Sequence, residues 1–599
     1  MCGIAGIIKK DLSEVNITEI KLMTDRISHR GPDGEGHYIN KNIALGHRRL
    51  AILDLSEAGH QPMINDDIIL VFNGEIYNYI EIREELLSLG YSFNSNTDSE
   101  VIIKAYIEWG ESSVNRFNGM WAFAIYDKIR NKIFASRDRF GIKPFYYSES
   151  NTNIYFGSEI KQLLPFIKEP KLNRQILYDF LYLGYHHHTN NTFFEEIKSL
   201  AAGHNLIFDL SNNTYEIEKF YSLSKSKDRY KTLEGATKAY KVCFDSSVNF
   251  RLRSDVKIGT CLSGGLDSSY VAKIASEKTN KNKKFTAITA KSTDITNDES
   301  HYAKIVSDRY NLNWKVTEPD KTDFISSLDE VIYFQEEPFG SPSIIMQYFV
   351  MKKAKEEGCI VMLDGQGGDE TLLGYERYFI PYLKTIKNPF KRIAEFCKLS
   401  KNSKLTLSQL LKYYFYFSFP TIKKIRLLKK HHYILDENKA YFNNELSSKF
   451  AKSLKDLFKL QKTELTQIQL QKLLKFEDRN SMAHSIEARV PFIDHNLVEC
   501  ALSIPSNFKI KDGWSKYILR MCYGEDAPED IVWRKNKFGF EAPTKKWMED
   551  KEIYVKEILD SELLDSVIDK KKNIMELDIE TIWKLFSIAK WAKAFNVRY

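Results

Sequence analysis

A cysteine at position 2, followed by Gly3-Ile4-Ala5-Gly6, is of a type and in a place that can perform acyl chemistry. Clipping of Met1 before so small a side chain leaves one residue carrying both a thiol and a free α-amine. An α-amine titrates at roughly pH 7.7–8.0, close to working pH, so it can serve the thiol as general base. Nucleophiles activated by the chain's own N-terminus are an established solution. The competing reading of Cys2 is a small buried hydrophobe, the usual fate of a free cysteine. A second cluster is Ser263-Gly264-Gly265-Leu266-Asp267-Ser268-Ser269. Its glycines admit close backbone approach, and a following helix offers free N–H groups and a positive dipole end, which together make a pyrophosphate cradle. The pattern is not the Walker loop, since no Gly-Lys-Ser/Thr follows. Asp267 would repel phosphate unless it helps hold Mg²⁺, which takes one or two carboxylates plus phosphate oxygens. Leu363-Asp364-Gly365-Gln366-Gly367-Gly368-Asp369-Glu370 repeats the logic, and Asp369 offers a second metal carboxylate.

These clusters need elements to position them. Up to about residue 210 the chain alternates short β-like runs (Ile68–Phe72, Trp121–Tyr126) with helical spacing at Tyr79–Leu89 and Ser99–Trp109. After about residue 230 the grammar becomes strand, turn, helix. Strands are expected at Lys257–Leu262, Phe285–Ala290 and Cys359–Leu363, and helices at Tyr270–Glu277 and Glu299–Tyr310. That alternation implies a parallel sheet with ligands at the C-terminal strand edge. The polar, lysine-rich stretch 211–235 reads as a linker, giving domains at 2–210 and 236–599.

At 599 residues the chain exceeds one hydrophobic core, and 43% hydrophobic with 28% charged residues is ordinary globular material. No basic stretch leads a long apolar run at the N-terminus, and no stretch approaches the roughly 20 apolar residues of a membrane span. Seven scattered cysteines without Cys-x-x-Cys argue against a disulfide framework or a zinc site. A cytoplasmic location is expected. The net charge of +7 is concentrated: residues 381–432 hold thirteen Lys and Arg against Glu395 alone, so that segment carries +12 and the rest −5. With the aromatic run Tyr413–Phe417 inside it, the segment suits an anionic membrane surface or a solvated helical insertion, and no nucleic-acid partner is expected.

Cys2-Gly3-Ile4, Arg49-Leu50, Asn73-Gly74-Glu75, Asp98 and Arg137-Asp138 resemble the class II glutamine amidotransferase domain. Ser263–Ser269, Gly365–Glu370, Ser481-Met482-Ala483 and Glu487-Ala488-Arg489-Val490-Pro491-Phe492-Ile493-Asp494 resemble an ATP-pyrophosphatase-type synthetase domain. In this order they resemble the glutamine-hydrolysing asparagine synthetases over nearly the whole chain. The resemblance implies an α/β protein: an N-terminal Ntn-hydrolase αββα sandwich, then a parallel-sheet PP-loop synthetase domain. It implies that Cys2 attacks the glutamine amide, that Asn73 and Gly74 form the oxyanion hole, and that Arg49 and Asp98 hold the α-carboxylate and α-ammonium. Glu75 supports that loop. It implies ATP and Mg²⁺ as cofactors, with Leu262, Ser263, Gly264, Gly265, Asp267, Ser268, Ile288, Asp364 and Gly365 around the nucleotide. Asp267 and Asp369 would hold the metal and Lys516 the pentavalent phosphorus. Ammonia would pass through an internal tunnel to an acyl-adenylate, and a homodimer is the family habit.

One departure bears on the acceptor. The second loop usually reads Ser-Gly-Glu-Gly in these synthetases, and here it reads Asp364-Gly365-Gln366-Gly367. Gln366 hydrogen-bonds but neither accepts a proton nor carries a charge. Aspartate is the first acceptor to consider, and a sugar uronic acid of surface-polysaccharide pathways is the alternative. A pure glutaminase with a binding module, or a scaffold without turnover, remain as other classes. The run His186-His187-His188 invites a metal, yet adjacent ligands on one loop point apart.

Overall fold

The computed structural model describes residues 2–224, 228–279, 283–418, 420–525, 527–535 and 541–599, and the side chains of all of these but 413–423 and 450. The first half is strand-rich: β1 (Gly3–Lys9), β2 (Gly34–Asn40), β3 (Ile43–Arg49), β4 (Met63–Asn65), β5 (Ile68–Ile76), β6 (Gly119–Asp127), β7 (Lys132–Arg137), β8 (Tyr146–Glu149), β9 (Asn153–Gly157), β10 (Ile197–Ser199), β11 (His204–Asp209) and β12 (Thr214–Lys219). They form two six-stranded sheets, ordered β10-β8-β9-β1-β3-β2 and β12-β11-β7-β6-β5-β4, with antiparallel neighbours throughout.

The strict two-residue period sorts the side chains. Ile4 and Ile8 of β1 meet Ile69 and Val71 of β5 in a core between the sheets. Ala5 and Ile7 turn outward onto Ile20 and Met23 of the helix Ile17–Asp25. Ile68, Leu70 and Phe72 turn the other way, onto Ile82, Val101 and Ile102 of the helices Tyr79–Ser88 and Asp98–Trp109. Helix, sheet, sheet, helix is the layering, an αββα sandwich.

The expected linker 211–235 is corrected at both ends. It opens with β12, which pairs with β11 from Asp209↔Thr214 to His204↔Lys219, and the helix Leu233–Arg251 begins inside it. Its alternation rests on Tyr215 and Ile217 alone, set between Glu216 and Glu218 in a polar, lysine-rich stretch, which is too little to mark a strand.

The second half carries β13 (Ile258–Cys261), β14 (Thr286–Ala290), β15 (Asn313–Thr317), β16 (Val361–Leu363) and β17 (Glu487–Arg489) in one all-parallel sheet ordered β15-β14-β13-β16-β17. The chain leaves β13 toward β14 on one side, and β16 lies on the other. The crevice between the C-terminal ends of β13 and β16 is therefore the topological switch point, where ligands bind in such sheets.

The basic segment is helical, with Phe379–Thr385, Pro389–Asn402, Leu407–Ser418 and Pro420–Lys430. Leu383, Leu399 and Leu410 pack into a local core, whereas Phe390 is 81% and Ile425 64% exposed. The run Tyr413–Phe417 lies outside the described side chains. Among the described residues no helix is long and apolar enough to cross a membrane.

Candidate active site

The β1–β3 register sets Gly3 opposite Arg48 and so brings Cys2 to the Arg49 end of β3. The Cys2 thiol points at the Leu50 carbonyl, 3.9 Å away. Burial pushes that thiol up, so it needs a base to become a nucleophile. Arg49 donates through Nη1 to the Ser56 carbonyl at 2.7 Å and through Nη2 to the Asp54 carbonyl at 2.5 Å, which fixes its fork at the pocket wall. Cys2, Arg49, Gly74, Glu75 and Asp98 line one cavity of about 40 Å³. The wall does not include the Asn73 side chain, which is fully buried beside it with neither amide atom hydrogen-bonded within the chain. A buried amide left open in this way is costly unless a ligand completes it. Gly74 sits at φ +155°, and a Cβ there would lie 2.1 Å from the Met120 carbonyl oxygen.

Two buried acids face this cavity. Asp98 caps the backbone N–H of Ile76 at 2.8 Å, and burial pushes its pKa up to about 7. Burial also raises Glu75, and the nearby Asp98 raises it further against the pull of Arg489. Arg489 reaches Glu75 at 3.2 Å and Glu487 at 2.6 Å, and Glu487 itself lines the cavity. The second half thus completes the first half's pocket. Sequence reasoning placed Glu487 and Arg489 in a motif without seeing where they point.

At the switch point lies a cavity of about 360 Å³. Leu262, Ser263, Gly265, Asp267, Ser268, Ile288, Asp364, Gly365 and Asp369 all line it, together with Gln366. Gly264 does not; it holds the turn at φ +70°, where a Cβ would meet the Ala303 nitrogen at 2.5 Å. The helix Leu266–Lys278 starts from Gly265 without a side-chain cap, so its first N–H groups are available to an anion. Ser263 and Ser268 join their hydroxyls at 3.0 Å across the turn. Lys516 stands just behind the wall, with Nζ 2.5 Å from Asp267 Oδ2 and 2.5 Å from Asp369 Oδ1. Two carboxylates that already share one ammonium fit the donor set a divalent cation takes from a protein in a phosphate site.

The helix Gln469–Met482 runs between the two cavities and carries residues that sequence reasoning missed. Glu477 accepts a hydrogen bond from Gln347 Nε2 at 2.5 Å and is hydrogen-bonded to Asp364, whose loop lines the switch-point cavity. Burial pushes both carboxyls up; the charge of Asp364 raises Glu477 further, whereas the hydrogen bond from Glu477 lowers Asp364, so the proton of the pair belongs on Glu477. The next residue, Asp478, faces the other way. Arg30 donates to it through Nη1 at 2.9 Å and Nη2 at 3.0 Å, and through Nε to the Cys2 carbonyl at 3.0 Å. Arg479 pairs with Glu336 at 2.7 Å and Glu159 at 3.1 Å. The only sequence signal was three consecutive charges, Glu477-Asp478-Arg479, which no single solvated helix face accommodates.

Two other features are structural. Asp138 is buried and accepts from the N–H groups of Phe140, Ile142 and Lys143, holding a turn. His188 bonds Asp179 at 2.9 Å and His187 lies 3.7 Å from Glu337, so the triple splits between partners. Among the described residues no group of His, Cys, Asp and Glu has a metal-binding arrangement.

Comparison with known proteins agrees with this division. Residues 1–221 match the glutamine amidotransferase domain family, and residues 239–591 match the asparagine synthase family. Asparagine synthetase [glutamine-hydrolyzing] 1 of Bacillus subtilis is 31% identical over 95% of this chain and 92% of its own length. Asparagine synthetase [glutamine-hydrolyzing] 3 of the same organism is 30% identical over 89% and 86%. A putative asparagine synthetase [glutamine-hydrolyzing] 2 of Methanocaldococcus jannaschii is 39% identical over 64% of this chain and 77% of its own. The chain belongs to the glutamine-hydrolysing asparagine synthetase family and is a glutamine-dependent carbon–nitrogen ligase.

Proposed function

We propose that this protein hydrolyses glutamine at Cys2 and delivers the ammonia to a carboxylic acid activated by ATP in the switch-point cavity. The observation that carries the reading is the helix Gln469–Met482, whose adjacent residues Glu477 and Asp478 back onto the two cavities. In the first cavity the Cys2 sulfur attacks the glutamine side-chain carbonyl. The Cys2 α-amine, exposed once Met1 is removed, takes the thiol proton and returns it to the departing ammonia. Asn73 Nδ2 and the Gly74 N–H stabilise the oxyanion, Arg49 binds the substrate α-carboxylate, and Asp98, with Glu75 behind it, the α-ammonium. Water then releases glutamate from the thioester.

In the second cavity the acceptor carboxylate attacks the α-phosphorus of ATP, giving an acyl-adenylate and pyrophosphate. Ser263, Ser268 and the N–H groups beyond Gly265 cradle phosphate, Lys516 stabilises the charge at phosphorus, and Leu262, Ile288, Asp364 and Gly365 edge the nucleotide. Asp267 and Asp369 would hold Mg²⁺, which would supply positive charge to the phosphates. Ammonia attacks the acyl carbon and expels AMP. The Asp364–Glu477 pair, one proton between two carboxyls, accepts the ammonium proton that the family glutamate would take at position 366.

Aspartate as acceptor rests on the names of the relatives. A sugar uronic acid is the second reading. Gln366 favours it, and so do the amide and hydroxyl side chains Gln347, Gln469, Ser343 and Tyr375 on the same wall, which suit a polyhydroxy acid. Pyrophosphate release with glutamine, Mg-ATP and a panel of carboxylic acids separates the readings. Turnover with aspartate alone removes the uronic acid, turnover with uronic acids alone removes aspartate, and no pyrophosphate with any acid leaves a glutaminase.

The basic segment fits peripheral contact with an anionic membrane. Phe390, Ile393 and Ile425 stand exposed among its lysines and arginines, apolar anchors beside cationic ones. Co-sedimentation with phosphatidylserine vesicles should be strong at low salt and fall at high salt; no sedimentation at low salt removes this contact. A homodimer follows family habit, and analytical ultracentrifugation reads it directly.

A further inference from the structure

Outside both catalytic cavities a third, of about 250 Å³, lies where the β7–β11 end of the sandwich meets the helices Leu457–Thr466 and Gln469–Met482. Its wall carries Arg137, Arg139, Lys219, Lys462 and Lys475, and no Asp or Glu among the described residues. Among the described residues, Lys475 alone of these five cations pairs with a carboxylate, that of Glu337. Arg137 is held by backbone carbonyls instead, those of Lys143, Leu200 and Gly141 at 2.7, 2.6 and 3.0 Å. Arg139 likewise donates to the carbonyls of Phe117, Val114 and Asn115. Carbonyl dipoles orient a guanidinium without cancelling its charge, and each of these keeps N–H donors of its five uncommitted. Lys462 donates to the Leu223 carbonyl at 2.7 Å, again a neutral partner. Gathering four such cations in one recess costs energy that an anion would recover.

We propose that this cavity binds a phosphate monoester of hexose-phosphate size, its phosphoryl oxygens taken by Arg137 and Lys462. The volume lies just below the roughly 300–1,000 Å³ of pockets for drug-sized ligands, which sets the size class. Thr189 and Ser199 hydroxyls on the same wall suit a sugar. A guanidinium fork takes two phosphoryl oxygens at once, which fixes the anion's orientation in a way an ammonium alone does not. The site stands back to back with the nucleotide cavity. Gln471 and Lys475 face it, whereas Gln469 and Leu473 of the same helix face the nucleotide.

The test is calorimetric titration of the full chain with glucose 1-phosphate, its nucleotide cavity saturated with Mg²⁺ and a non-hydrolysable ATP analogue. Saturable binding of glucose 1-phosphate is expected, with none of glucose. The double variant Lys219→Glu/Lys462→Glu should weaken it at least about tenfold, the scale of charge-assisted contacts. Hydrogen exchange should show protection at residues 462–475 and 199–223 on addition of the sugar phosphate, which reports the site without any substitution. Absence of saturation at about 10 mM, citrate binding as tightly, an unchanged affinity in the double variant, or protection elsewhere would each overturn the assignment.

Discussion

Arg30 joins the carbonyl of Cys2 to the carboxylate of Asp478, residues separated by nearly the whole chain, through Nε at 3.0 Å on one side and a two-pronged pair at 2.9 and 3.0 Å on the other. Arg30 and Asp478 are buried and Cys2 is half-buried, and Glu159 adds a further contact to Arg30 at 2.7 Å. A buried ion pair of this kind is a weak source of stability but a costly one to break. Asp478→Asn should therefore destabilise the fold by about 3–5 kcal/mol, seen as earlier thermal loss of glutaminase activity. The paired replacement Arg30→Met/Asp478→Leu should recover stability while glutamine-dependent synthesis stays below ammonium-dependent synthesis. Equal recovery of both would show that the bridge has no part in coupling.

Cys2→Ala should abolish glutamine-dependent amide synthesis and spare synthesis fed by ammonium salts. Parallel assays with the two nitrogen sources decide it. Loss of both activities would mean that the substitution damages the fold or the passage between cavities.

Asp98 gives a pH signature. Its folded pKa of about 7 lies above the unfolded value near 3.9, so the folded state binds more protons between those limits. The stability it contributes is present at low pH and is lost as pH rises through 7. Function runs the other way, because only the carboxylate attracts an ammonium. KM for glutamine should fall as pH rises through about 7, with kcat less affected. Asp98→Asn should raise KM and flatten that limb; an unaltered profile would take Asp98 out of substrate binding.

Glu477→Gln should keep the hydrogen bond from Gln347 but lose the shared proton. Pyrophosphate release should persist while amide formation falls by about 10²–10⁴-fold, the usual reach of general acid–base catalysis. The readout is the ratio of pyrophosphate to amide, together with the loss of the acidic limb of the amide pH profile. Equal decline of both products would make Glu477 a packing residue.

Lys516→Ala removes the ammonium that lies between Asp267 and Asp369. Synthesis should drop by about 10²–10³-fold, the scale of one electrostatic stabiliser in a dry site. Glutaminase activity should hold, since Lys516 is remote from Cys2 in the fold. Lys516→Arg should restore little, because a wider planar head replaces a compact point charge.

Much of this architecture was legible in local patterns. The Ser263–Ser269 and Asp364–Glu370 loops announce themselves because a turn that admits phosphate needs glycines at fixed offsets between a strand and a helix. The unbroken apolar run Ile68–Phe72 marks a strand buried on both faces for the same local reason. Arg30, Glu477, Asp478 and Arg489 were out of reach in their roles, because the contacts that define them, Arg30–Asp478, Glu477–Asp364 and Arg489–Glu75, span 113 to 448 positions and nothing in their neighbours encodes them. Strand β12 escaped for the opposite reason: its period is local, but only Tyr215 and Ile217 carry it amid polar residues. The place of Asn73 also needed coordinates, since only the packed sandwich shows that its amide is sealed in beside the cavity rather than on its wall.

The Arg30–Asp478 bridge has a practical consequence for protein engineering. A glutaminase half cut out near residue 220 would leave Arg30 with Glu159 but without Asp478, and a synthetase half alone would leave Asp478 without Arg30. A chimera that borrows the amidotransferase from a relative must borrow the helix Gln469–Met482 with it. The exchangeable unit of this enzyme is thus discontinuous in the gene, and recombination at the visible module boundary would separate parts that only function as a set.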